Sequence, residues 1–285
     1  MAKIKITSES TVDLSPDLIE RYDIGVIPLF VTLDERTAFD GEDLFPSDIY
    51  EFAEKTGKLP KTAARSSEDL KNFFEGIFAQ GYTDIIHCSI STHLSASYQS
   101  AVNAAAELRG VTVIDVPALS SGTGLIAVYA AELAASGMLA AEIVSKARAR
   151  LPHIQTSFII DSMEYLYKGG RCSSMQLVAG KVLRIKPVLN LIEGKIEVGR
   201  KFMGQIDGSV LKYVDDTMEK FSTPDLSRLF ITYTTMSDQT LEAVRERVLS
   251  KFKFKEVYYN VAGATITSHC GKGTLGIIYM NDGEA

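Results

Sequence analysis

Three stretches carry the side chains that could do chemistry. "HCSISTHLSASYQS" (87–100) packs five serines and a threonine into fourteen positions, with Tyr98 as a further hydroxyl. "KGGRCSS" (168–174) joins a Gly-Gly stop to Arg171 and two more hydroxyls, and "TSHCGKGTLGI" (267–277) sets His269 and Cys270 before a glycine-rich turn. A serine with a histidine suggests acyl-transfer chemistry, but a hydrolase elbow needs G-x-S-x-G, which is absent around Ser95. Each Ser or Thr is also explained as a helix N-cap. One cap needs only one hydroxyl, however, and Ser91, Thr92, Ser95 and Ser97 together can surround a ligand. Hydroxyls and free backbone N–H groups at a helix start suit a carboxylate or phosphate. With no Arg or Lys between 87 and 100, a singly charged or neutral acid fits better than a polyphosphate. Arg171 is either a solvated charge after a helix C-cap or an anion contact, because its planar fork matches carboxylates. His269 is either satisfied locally or part of a site. Cys270 beside it, read in an extended segment, points to the opposite side and makes no catalytic pair. Four histidines without ligand spacing do not make a metal site.

The elements that must position these groups follow from the pattern. "KIKIT" (3–7) reads as a strand, and "SPDLIERY" as a helix with Ser15 at the N-cap and Pro16 at the first position. "GVIPLFVTL" (25–33) reads as one strand, with Pro28 marking an edge or a bulge. Helices follow at 47–56 and 67–80, the latter opened by a Ser66/Asp69 capping box. Then come the strand "DIIHCSI", a helix over about 95–108, the strand "VTVID" (111–115) and an Ala-rich helix from about 122. Short apolar strands separated by helices imply a largely parallel sheet covered on both faces. Ligands of such sheets sit beyond the strand C-termini, where residues 91–97 lie.

The second half changes pattern. A strand at 155–160, a short helix in "SMEYLYKGG" and a helix in "SMQLVAGKVL" precede a hairpin across Glu193-Gly194. Helices at 206–221 and 238–252 then alternate with three strands, which predicts a mixed sheet. The fold class is therefore α/β with two domains. Residues 1–153 form an N-terminal three-layer domain with a mostly parallel sheet, and 154–285 form an α/β domain with a mixed sheet. The absence of any linker at the junction predicts that the halves pack closely.

Composition narrows the function. Hydrophobic content of 46% and charged content of 23% belong to a globular chain, and a net charge of −6 argues against nucleic acid as partner. Three scattered cysteines argue against structural disulfides. The charged start "MAKIKITSES" does not read as a signal peptide, and no apolar stretch is long enough to span a bilayer. These features predict a cytoplasmic protein with no integral membrane segment. "GTGLIA" (122–127) formally matches G-x-G-x-x-A. It lies six residues past its strand, with no acidic partner on a following strand, so it reads as glycines permitting close helix packing.

Six stretches in order resemble the DegV family of bacterial fatty-acid-binding proteins. "SEST-VDL" (8–14) is similar to T-D-S-T-x-D-L, and "LPKTAARSS" (59–67) to L-P-x-T-S-Q-P-S. "SISTHLSASYQSA" resembles I-S-S-x-L-S-G-T-Y-Q-S-A, and "IDVPALSSGTG" resembles I-D-S-x-x-x-S-x-G-x-G. "MEYLYKGGR" and "SHCGKGTLGI" match L-x-Y-L-x-K-G-G-R and T-H-x-G-P-G-A-L-G-I. Glu9, the "AAR" at 63–65, Ala96 and Val116 depart from the family pattern. The resemblance implies a long-chain fatty acid held between two α/β domains, with no cofactor and no catalysis by this chain alone. It implies presentation of the acid to the catalytic subunit of a fatty acid kinase, for acyl-phosphate formation and phospholipid synthesis. By position, Thr62, Ser95 and His269 would hold the carboxylate, with Arg171 as an additional member. The competing reading is a serine esterase or thioesterase using Ser95 and His269.

Overall fold

The computed structural model describes residues 3–172 and 185–283. The helix expected over 174–183 lies outside them, as do Ser173 and Ser174. In chain order the first half contains β1 (Ile4–Glu9), α1 (Pro16–Arg21), β2 (Ile24–Ile27), β3 (Phe30–Leu33), β4 (Arg36–Phe39), α2 (Pro46–Thr56) and β5 (Lys61–Ala63). It continues with α3 (Ser67–Ala79), β6 (Asp84–Ser89), α4 (Ser97–Ala106), β7 (Val111–Asp115), α5 (Ser121–Ala135) and α6 (Ala140–Arg150). The second half contains β8 (Ile154–Gln155), β9 (Ser157–Ile159), α7 (Glu164–Gly169), β10 (Ile185–Ile192), β11 (Lys195–Met203) and α8 (Ile206–Lys220). It ends with β12 (Arg228–Tyr233), α9 (Asp238–Lys251), β13 (Glu256–Val261), α10 (Ala264–Cys270) and β14 (Leu275–Met280).

Strands β2-β1-β6-β7 form a wholly parallel sheet. Alternation along its strands sends Ile27, Ile85 and Val113 to a face covered by α3 and α4. Ile6, Ile86 and Ile114 point to the other face, which α5 and α6 cover. The mixed sheet runs β11-β10-β9-β14-β12-β13, with β8 on β14 and β12–β13 as its parallel pair. Leu229, Ile231, Ile277 and Tyr279 face α8 and α9, whereas Phe230, Ile278 and Met280 face back toward α5.

Helix α5 therefore lies between the two sheets, which explains why it is apolar all round rather than amphipathic. Residues from Ser121 to Val128 are all buried. A Cβ on Gly122 would fall 2.4 Å from Thr156 Oγ1, and one on Gly124 would fall 2.8 Å from Leu14 Cδ2. The "GTGLIA" glycines thus serve close packing, as read from the sequence. Polar ties reinforce the contact between halves. Thr232 Oγ1 and Asn260 Nδ2 both donate to Ser121 Oγ, at 2.8 and 3.0 Å, and Arg150 bonds Asp225 and Asp282.

Three local expectations change. The strand read over 25–33 is divided at Pro28, so β2 joins the parallel sheet while β3 pairs with β4 and β5 in a separate antiparallel sheet. Ser15 does occupy the N-cap of α1, but its hydroxyl makes no capping bond. The segment around His269 is helical rather than extended. Its β-branched Thr265, Ile266 and Thr267 favour strand locally, but all are buried and packing decides. The Ser66/Asp69 capping box and the Glu193-Gly194 hairpin form as the residues indicate, the turn residues having φ of +49° and +79°.

Candidate functional site

The four residues singled out from the sequence line one cavity at the junction of the two halves. Thr62 comes from β5, Ser95 from the loop between β6 and α4, Arg171 from just beyond the C-cap of α7, and His269 from α10. Between them the walls are apolar: Ala63, Ala64, Ile90, Leu94, Leu119, Leu166, Ile196 and Ile266. The cavity measures about 60 Å³. A second one of about 20 Å³ shares Leu119, Ile266 and Cys270 with it and continues against Phe158 and Ile278 of the mixed sheet. At roughly 10–15 Å³ per water on this measure, the walls must part to admit a long chain.

Thr62 Oγ1 and His269 Nε2 are hydrogen-bonded at 2.8 Å. Burial and the nearby Arg171 charge lower the imidazole's pKa from 6.5 to about 4, so it is neutral at physiological pH. Gly169 makes the ring's position available, since a Cβ there would fall 2.5 Å from His269 Nδ1. The next residue, Gly170, caps α7 with φ of +70°, which turns the chain so that Arg171 reaches the cavity. Arg171 Nη1 donates to Gly169 O at 2.8 Å. The "KGGR" string is thus a helix stop that also brings Arg171 to the cavity wall.

The hydroxyl-rich stretch does not surround a ligand as a group. Ser91 Oγ donates to Gly194 O at 2.8 Å, tying the loop to the β10–β11 turn. Thr92 Oγ1 and its N–H both donate to Asp115. Ser89 Oγ donates to the buried Glu9 at 2.5 Å, and Glu9 also accepts from Ile90 N. Ser95 alone of the stretch's hydroxyls faces the cavity, and it pairs with Ser97 Oγ at 2.9 Å while accepting from Ser97 N. The hydroxyls of Ser89, Ser91, Thr92 and Ser97 tie down the segment that carries Ser95. The family departures also acquire roles: Ala63 and Ala64 are wall, and Arg65 stacks over Phe30 and Phe39 outside it.

Among the described residues no hydrogen bond joins Ser95 to His269, and His269 Nδ1 is buried without the acidic partner a triad would give it. Burial pushes the Cys270 thiol up to about 12, leaving no thiolate. What the site can do is hold an acid: hydroxyls and a neutral imidazole that exchange hydrogen bonds, a guanidinium beside them, and apolar walls behind.

Sequence reasoning missed two further polar lining groups, Thr11 and Thr265, whose hydroxyls are buried in the cavity wall without partners. Thr265 stands one turn before His269, a relation visible only once α10 is known to be helical. It also missed Asp13 and Asp40, which bond the start of α10. Among the described residues no cluster of His, Cys, Asp and Glu could hold a metal ion, and no helix is long and apolar enough to cross a membrane.

Two packed α/β layers enclosing a polar-ended apolar cavity define the class, and comparison with known proteins gives the family. The model of the family described as "Uncharacterised protein, DegV family" matches residues 3–282, and the chain belongs to that family. A DegV domain-containing protein of Caldanaerobacter subterraneus subsp. tengcongensis is 29% identical over 98% of this chain and 99% of its own. A fatty acid-binding protein of Thermotoga maritima is 29% identical over 96% of each chain. Among solved structures, a DegV family protein from Thermus thermophilus described for its fatty acid binding superposes with a TM-score of 0.90. It is 29% identical, with 98% of this chain and 99% of that one covered.

Proposed function

We propose that this protein binds a long-chain fatty acid between its two halves, taken as domains 1–153 and 154–285. Thr62, Ser95 and His269 hold the carboxyl group and Arg171 supplies positive charge beside it. The observation that carries this reading is the Thr62–His269 pair in the wall of a largely apolar cavity. Burying about fourteen methylenes of a sixteen-carbon chain at ~0.8 kcal/mol each contributes roughly 11 kcal/mol gross, reduced by ordering costs. The chain supplies affinity, and the polar end sets which end of the ligand faces out.

In this reading the protein is a cytoplasmic carrier that needs no cofactor of its own. It presents the carboxylate to a separate ATP-dependent kinase subunit, which forms the acyl phosphate used in phospholipid synthesis. The family resemblance supports the kinase step, and the pairing of Ser95 with Ser97 rather than His269 is compatible with a carrier role.

Native mass spectrometry of protein purified from cells tests the first part: one long-chain fatty acid per chain is expected. Protein that is wholly apo and takes up neither palmitate nor oleate would overturn it. For the second part, the loaded protein is mixed with a fatty acid kinase catalytic subunit, ATP and hydroxylamine. Acyl hydroxamate that depends on both proteins supports presentation; none formed from a loaded protein counts against it.

A further inference from the structure

We infer that Asp13 and Asp40 are positioning residues, a clamp of two acidic side chains that holds the start of α10 and so places His269 against Thr62. The inference rests on the acid-binding reading above. Asp13 Oδ1 accepts from Gly263 N at 2.8 Å, Asp40 Oδ1 from Ala264 N at 2.7 Å, and Asp40 Oδ2 from Thr265 N at 3.2 Å. Three successive N–H groups of the second half are thus gripped by two side chains of the first. An ordinary N-cap uses one side chain. Burying two acidic side chains side by side at one helix start costs desolvation that a plain, single-residue cap does not require.

Both acids are braced from their own half. Ser120 Oγ donates to Asp13 Oδ2, and Ser10 Oγ donates to Asp40 Oδ2 at 2.8 Å. Asp13 and Ser120 both have left-handed backbone, with φ of +46° and +55°. Non-glycine residues stay in that region only where surrounding contacts over-determine them, and such strain gathers at functional sites. Helix α10 is short and rich in β-branched residues, so little else sets where it begins. It bridges the halves at both ends: the two acidic side chains hold its first turn, and Thr62 of β5 meets His269 in its last. A shift at the clamp is therefore carried along a rigid turn to the imidazole.

Gly263→Ala tests the clamp gently. The backbone there, at φ −65°, accepts any residue, but a Cβ would lie 3.0 Å from Asp40 Oδ1 and 3.2 Å from Asp13 Oδ1. Affinities for palmitate and for methyl palmitate are measured by calorimetry, and the His269 ring is titrated by NMR in the unliganded protein. The variant should bind palmitate about tenfold more weakly, the equivalent of one misplaced hydrogen bond. Methyl palmitate, held by its chain, should change less than twofold, and the His269 midpoint should rise from about 4 toward 6.5. Equal weakening for acid and ester, or an unmoved His269 midpoint, would overturn the clamp. Asp40→Asn should exaggerate the effect; should it fail to fold, Ser10→Ala removes the brace on Asp40 together with the acceptor of the Leu29 N–H, and should give a smaller effect of the same pattern. Wild-type protein that binds neither ligand would defeat the acid-binding reading, while the His269 titration would still decide the clamp.

Discussion

Thr62 and His269, 207 positions apart, share a 2.8 Å hydrogen bond across the junction of the two halves. A strand of the small antiparallel sheet supplies one partner and α10 supplies the other. The bond joins the two halves at the place where an acid would be held. Thr62→Val should therefore weaken palmitate binding by ~1.5–3 kcal/mol, about 10- to 100-fold, with little loss of stability. Ser95→Ala should do the same. Unchanged affinity by calorimetry would reduce either residue to a structural hydroxyl.

Gly169→Ala should damage the site from outside the ligand's reach. The added methyl lands 2.5 Å from His269 Nδ1 and must push the ring away from Thr62. Palmitate affinity should fall about as far as in Thr62→Val, with far-UV circular dichroism unchanged. Full affinity in this variant would show that the imidazole's placement is not needed.

His269 should also leave a mark on stability. Its folded pKa, about 4, lies below the ordinary 6.5, so the unfolded chain binds the extra proton between those values. The stability it contributes is present above pH 6.5 and is lost as pH falls toward 4. Urea midpoints measured from pH 4 to 7 should rise less steeply for His269→Gln than for wild type. Parallel curves would mean the imidazole is more solvated than its packing indicates.

Asp13 should act with the opposite sign. Burial is the main cause that raises its carboxyl to about 8, with Asp40 adding to the shift. Between pH 4 and 8 the folded protein therefore holds a proton that the unfolded chain has lost, and its contribution declines as pH rises, levelling off above 8. Asp13→Asn cannot ionise and should flatten that decline. A variant whose stability falls with pH as steeply as wild type would place the titration elsewhere.

Ester hydrolysis should be absent. Incubation with a fluorophosphonate probe should leave Ser95 unlabelled, because its hydroxyl pairs with Ser97 rather than with a base. Labelling of Ser95 that disappears in His269→Gln would restore the esterase alternative.

Much of the fold was legible locally. The parallel-sheet strands announced themselves as short apolar runs, the capping box at Ser66 and the Glu193-Gly194 turn by their own chemistry, and α5 by its Ala-rich sequence. Ser95, Arg171 and His269 stood out by residue type, and Thr62 through the family resemblance. Tertiary structure decided what these groups do. Whether Ser91 and Ser95 face a ligand depends on Gly194 and Ser97, one of them far away in the chain. Helix α10 runs against its local preference, because burial of Thr265, Ile266 and Thr267 and the two distant acidic side chains outweigh β-branched propensity. Local pattern encodes an element when its own residues supply the stabilising contacts. The site is built from contacts between residues more than two hundred positions apart, and only packing brings those together.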